Sequence, residues 1–186
     1  GAAPTEGDVS FDGQVYSEME DAQKEQLRRK EIGFVFQAVA LIPIMNAYEN
    51  VDFAMRLAEP ELTAKEVDER IRETLALVGM EERMRHMPGQ MSGGEQQRVA
   101  IARAVAHRPK VVFADEPTGA LDSKTSREIL ILLEKINARY GTTMLIVTHN
   151  NSIKQMVHRV IFLKDGQIKK SYTNETRVPA DKLEDL

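Results

Sequence analysis

The amino-acid sequence predicts an α/β fold built on a mostly parallel sheet that helices cover on both faces. Three observations carry that expectation. Compact apolar runs at residues 32–36, 110–114 and 142–148 have the length and the β-branched or aromatic content of buried strands. Stretches with apolar residues at helical spacing separate them, so strand and helix alternate along the chain. Polar residues stand where those strands end: Gln37, the pair Asp115 and Glu116, and His149. Ligands of parallel α/β sheets collect at the carboxyl ends of strands, so these four are the first functional candidates.

From the N-terminus, residues 8–12 (DVSFD) alternate and are closed by Asp12-Gly13, a short strand and turn. Residues 17–31 are highly charged and read as a solvated surface helix, with Met19, Ala22, Gln26 and Leu27 as its candidates for a buried stripe. Residues 32–36 (IGFVF) form the first core strand, expected to be doubly covered. Thr63 and Glu66 make a capping box, and Val67, Ile71, Leu75 and Val78 follow at helical spacing until Gly79. Ser92-Gly93-Gly94 precedes a run well suited to a helix. After the strand at 110–114, Ile129, Leu130, Leu133 and Ile136 mark one face of a helix that stops near Gly141. Beyond the third strand, Asp165-Gly166 between alternating residues predicts a hairpin over 159–170, and the tail 171–186 is polar without a firm period.

At 186 residues and 42% hydrophobic content the chain suits one α/β domain, and its formal charge of −4 argues against a non-specific hold on nucleic acid. The lack of cysteine excludes a disulfide framework and a thiolate metal site. The most apolar stretch, 32–45, is interrupted by Gln37 and Pro43 and is too short to span a bilayer, so a membrane role needs a separate membrane partner.

Two places carry chemistry. The strand ending in Asp115-Glu116 would put Asp115 where it could hold Mg²⁺ and Glu116 where it could polarise an attacking water. Ser92-Gly93-Gly94 lies at a helix start, whose unpaired N–H groups and dipole attract an anion that glycine allows to approach closely. A plain glycine turn before a helix, and a structural histidine at 149, are the bland alternatives.

Taken together, these stretches resemble the ATP-binding subunit of ABC transporters over nearly all of the chain. Met91-Ser92-Gly93-Gly94-Glu95 with QQRVAIARA behind it resembles the family's signature motif and its helix, and residues 111–116 resemble Walker B plus the catalytic glutamate. Gly119-Ala120-Leu121-Asp122 resembles the D-loop, Phe36-Gln37 the Q-loop and Thr148-His149 the switch histidine, all in the family's order. ADEPTGALDS at 114–123, the SGGEQQRVAIARA wording and ENV at 49–51 are most similar to the branch serving macrolide-export, lipoprotein-release and cell-division permeases.

The resemblance implies a P-loop NTPase core with a helical subdomain at residues 48–103, and two ATPase subunits facing head to tail. Each ATP would lie between Walker A of one subunit and the signature loop of the other, Ser92, Gly93, Gly94 and Glu95, with Ser92 and Gly94 on the γ-phosphate. Asp115 would serve the Mg²⁺ shell and Glu116 would be the general base. His149 would hold γ-phosphate and water in line, Gln37 would sense Mg²⁺ and couple to the permease, and Asp122 would signal across the dimer. An integral-membrane permease would be the partner, and the subunit would be cytoplasmic, peripheral on the inner face of the cell membrane. The permease's coupling helix would meet Leu41, Ile42, Ile44, Met45 and Tyr48 around Pro43, unless these pack into the protein's own core.

Some positions depart from the family. Met91 replaces the usual Leu and Glu95 the usual Gln, and residues 38–42 lack an aromatic that related chains often carry. No G-x-x-x-x-G-K-[ST] occurs, and residues 1–7 (GAAPTEG) resemble the stretch just after the Walker A helix. The expectation is therefore an ABC ATPase domain truncated at its N-terminus and inactive alone. The open alternatives are a non-catalytic module that docks on a permease or completes a partner's ATP site in trans, and a soluble ABC ATPase outside transport. In the family the strand leading into Walker A lies between the histidine strand and the strand at 159–163, so its loss is expected to leave open edges, or to bring 159–163 against the histidine strand.

Overall fold

A computed structural model describes residues 4–186. Residues 1–3 of the stretch likened to the segment after Walker A lie outside the described residues. Strands β1 (Ser10–Phe11) and β2 (Gln14–Val15) form an antiparallel hairpin turned by Asp12 and Gly13, whose φ values of 50 and 79° are those such a tight turn demands. Helix α1 (Asp21–Glu31) buries no residue, as its charge predicts, and of the four stripe candidates only Met19, just before it, is buried.

Strands β3 (Ile32–Phe36), β4 (Val111–Asp115) and β5 (Thr143–Val147) make a parallel sheet in the order β3-β4-β5, in register so that Phe36, Asp115 and Val147 lie side by side at its carboxyl end. Val35, Val112 and Ala114 point into the core beneath helices α4 (Gly93–Val105) and α5 (Ser123–Tyr140). The approach of α4 to β3 is close: a Cβ at Gly33 would stand 2.2 Å from the carbonyl oxygen of Ala104. Helices α2 (Ala47–Ala58) and α3 (Ala64–Leu77) pack on α4, and Val51, Met55, Ile71, Leu75, Val99 and Ile101 are fully buried there. The capping box of α3 forms as expected, with the Thr63 hydroxyl accepting from the Glu66 N–H and the Glu66 carboxylate from the Thr63 N–H.

The expectation of two covered faces is corrected. Phe34, Phe36 and Phe113 are 45, 46 and 37% exposed, and Leu145 and Val147 beside them are exposed too. Phe34 stacks on Phe36 at 5.9 Å and on Phe113 at 5.6 Å, a continuous apolar surface. Both α4 and α5 lie on the opposite face, so among the described residues the sheet is covered on one side. Apolar content of a strand reports what each face is made of, and says nothing of what lies against it.

Strands β6 (Arg159–Lys164) and β7 (Gln167–Thr173) form the expected antiparallel hairpin, turned by Asp165 and Gly166 at φ 53 and 70°. They make a separate sheet and β6 does not pair with β5, so among the described residues the outer edge of β5 stays open. The polar tail is docked after all: Ala180 and Leu183 are buried, and Arg127 of α5 donates to the carbonyls of Asp181 and Leu183. Two buried residues and bonds to main-chain carbonyls leave no periodic trace in a sequence. No helix among the described residues is long and apolar enough to cross a membrane.

Candidate functional site

Glu116 directly follows β4 and has φ +44°, a left-handed conformation rare outside glycine. Its N–H donates to the Val147 carbonyl at 2.8 Å and its carbonyl accepts from the Gly119 N–H at 3.0 Å, which fixes the turn. The carboxylate is thereby delivered to the end of β5. There one oxygen accepts from the His149 N–H at 2.7 Å and the other from the Thr148 hydroxyl at 3.2 Å. The His149 ring is almost fully exposed, with Nε2 3.7 Å from the same carboxylate. Glu116 thus has its orientation set by two donors while His149 reaches into solvent above it. Asp115, one residue earlier, is exposed, and its carboxylate has no hydrogen bond or ion pair among the described residues. Gln37 leaves the end of β3 and lies on the loop after Glu116: a Cβ at Gly119 would stand 2.9 Å from its side-chain amide. The structure therefore brings Gln37, Asp115, Glu116 and His149 to one end of the sheet.

The signature stretch forms a second group. Ser92 caps α4, accepting from the Glu95 N–H at 3.2 Å, while the Glu95 carboxylate accepts from the Ser92 N–H at 2.9 Å and pairs with Arg83. The two glycines answer to different neighbours. A Cβ at Gly94 would stand 2.5 Å from Cγ2 of Thr125 on α5, so helix packing alone excludes a side chain there. At Gly93 a Cβ would meet only Leu121, at an ordinary 3.6 Å, and that exposed backbone is open to a ligand. Asp122 caps α5, accepting from the Thr125 hydroxyl at 2.7 Å and its N–H at 3.0 Å, and these bonds hold its carboxyl below the usual carboxylate range. The two groups border the same loop, residues 117–122, but among the described residues no hydrogen bond joins Ser92–Glu95 to Glu116 or His149.

For Mg²⁺ the donors present are the unpaired Asp115 carboxylate and the Gln37 amide. No cluster of three or more His, Cys, Asp or Glu among the described residues could hold a metal. This fits an ion that protein groups share with phosphate oxygens, since Mg²⁺ is usually held by one or two carboxylates plus substrate.

Sequence reasoning missed two buried amides. Asn50 of α2 donates to the carbonyls of Ile42, Met45 and Asn46 and accepts from the Ile42 N–H, pinning the segment after the Q-loop. Gln97 of α4 is 1% exposed and touches both loops of the strand-end group. The available signal was an amide inside an otherwise apolar helix face.

Paired acids at the end of a parallel-sheet strand, beside a glycine-started, serine-capped helix, are the features to set against known proteins. The chain belongs to the ABC transporter family, whose sequence model matches residues 1–119. It is 44% identical over 169 residues to MJ0796 of Methanocaldococcus jannaschii, an uncharacterized ABC transporter ATP-binding protein, covering 90% of this chain and 72% of that one. It is 42% identical over 165 residues to the macrolide export ATP-binding/permease protein MacB of Syntrophobacter fumaroxidans, covering 89% of this chain and 23% of MacB. The structure of MJ0796 as a post-hydrolysis dimer bound to ADP and Pi superposes with a TM-score of 0.79 at 40% identity, covering 92% of this chain and 75% of that one.

Proposed function

We propose that the protein is the ATP-hydrolysing subunit of a transporter and energises a membrane permease of the macrolide-export or lipoprotein-release kind, on the inner face of the membrane. The observation that carries this is the Glu116 carboxylate, held by Thr148 and the His149 N–H at the end of β5 with Asp115 and Gln37 beside it. In this reading Glu116 accepts the proton of the attacking water and His149 orients water and γ-phosphate. Asp115 and Gln37 would hold Mg²⁺, which would supply charge neutralisation for the phosphates. Residues 48–103 act as the signature subdomain, presenting Ser92 and the open Gly93 backbone to nucleotide held by a second cassette, and Asp122 fixes the loop between the two groups.

The permease contact falls on the segment that Asn50 pins. Ile44 at its tip is 81% exposed, whereas Leu41 and Tyr48 pack against the core. Cysteines introduced at 42, 44 and 45 should crosslink to the permease, and crosslinks only from other faces would remove this contact.

A second reading has one observation in its favour: the Gly93 backbone at the start of α4 is exposed and open to a ligand held by another chain. The chain would then complete a partner's ATP site in trans. The two readings part on turnover: Mg²⁺-dependent ATP hydrolysis supports the first, and none, with ATP bound, supports the second.

A further inference from the structure

The side chain of Gln97 lies one turn into α4, beneath Ser92–Glu95, and is 1% exposed. Its Nε2 donates to two main-chain carbonyls, Phe36 at 3.2 Å and Pro117 at 2.7 Å. Both partners can only accept, so the amide's orientation is fixed: its NH₂ faces the carbonyls and both of its protons are used. Oε1 is left as the only buried side-chain N or O without a partner among the described residues. Such groups are rare in folded proteins and call for an explanation.

The two carbonyls explain it. Phe36 closes β3 and its carbonyl belongs to the peptide that begins Gln37. Pro117 follows Glu116 and opens the loop on which the Gln37 side chain rests at Gly119. A single amide therefore ties the helix of the signature stretch to the backbone on both sides of the strand-end group. A partly open cleft of about 190 Å³, whose lining includes Gln37, Gly93, Gln97 and Pro117, lies between the same elements.

We infer that Gln97 is a positioning residue, which sets the spacing between the signature helix and the two loops that carry Gln37 and Glu116. This rests on the function proposed above only for its catalytic consequence; the spacing itself can be measured on the chain as it stands. An apolar residue of similar volume would fill the site and remove the unpaired carbonyl, so packing alone gives no reason for glutamine here. Donation to both carbonyls does.

The test uses Gln97→Met, which keeps the volume and removes both donors. Hydrogen exchange on the 186-residue chain should quicken about tenfold in the segments around 37–39 and 118–121 together, with α3 unchanged. Faster exchange in one loop alone, in neither, or throughout the chain including α3 would overturn the proposal. If the variant does not fold, the wild-type protein decides: the two Gln97 side-chain amide protons should exchange far more slowly than those of exposed Gln14, and equal rates would refute the assignment. In a hydrolysing form of the cassette, Gln97→Met should lower kcat about tenfold and leave KM for ATP within about twofold. Activity lost with Glu116 intact and unchanged loop exchange would count against Gln97, whereas activity kept in Glu116→Gln would count against the function alone.

Discussion

His107 shows how one side chain can tie stability to pH without belonging to the site. It sits between α4 and β3 at 7% exposure, with Nε2 3.3 Å from the Ile32 carbonyl. Burial pushes its pKa below the usual imidazole value; the carbonyl bond opposes this and the Arg70 and Arg108 guanidiniums reinforce it. The unfolded chain then binds a proton at a higher pH than the folded one. Stability is fully present above the unfolded value of about 6.5, and is lost as pH falls below it toward the folded value. Urea midpoints should therefore fall from about pH 7.5 to about pH 5, and fall less in His107→Gln. Equal falls would show that other groups carry the acid sensitivity. Glu116 depends on its backbone in a different way: its left-handed φ and bonds to Val147 and Gly119 aim the carboxylate, and a sequence shows the residue but not the aim.

Between α4 and α5 the contact is narrow, and Gly94 is where it is decided. Gly94→Ala would drive a Cβ to 2.5 Å from Thr125 Cγ2 and should destabilise by about 1–3 kcal/mol, while Gly93→Ala, with ordinary clearance, should be nearly neutral for folding. Adding Thr125→Ser, which deletes that methyl, should recover most of the loss in thermal melts. No recovery would place the strain elsewhere. The glycine pair was legible in the sequence, but its meaning was divided: one glycine serves helix packing and the other leaves backbone open. The three sheet strands, the first short strand with its turn and the hairpin over 159–170 were equally legible, because apolar runs and Asp-Gly turns are local signals; the pairing of β2 with β1 was not foreseen. The docked tail was not, since it depends on contacts far along the chain; helix α2 was overlooked although its Asn46 cap and its buried residues at helical spacing are local signals.

At the scale of the whole molecule, the described residues leave one sheet face and the outer edge of β5 open. Phe34, Phe36, Phe113, Leu145 and Val147 form one exposed apolar surface, larger in character than scattered surface residues. The chain alone should bind a hydrophobic dye and self-associate in sedimentation, and Phe113→Lys should weaken both. A monomer with no dye binding and a cooperative melt would contradict this. The central claim is that Glu116 is the base of an ATP-hydrolysing site built on the other exposed feature, the strand ends. It is tested most directly by comparing the ATP turnover of wild type with that of Glu116→Gln. Phosphate release should fall at least about a hundredfold with ATP still bound, since the amide keeps the shape but cannot accept the proton. Turnover within a few-fold of wild type would contradict the account.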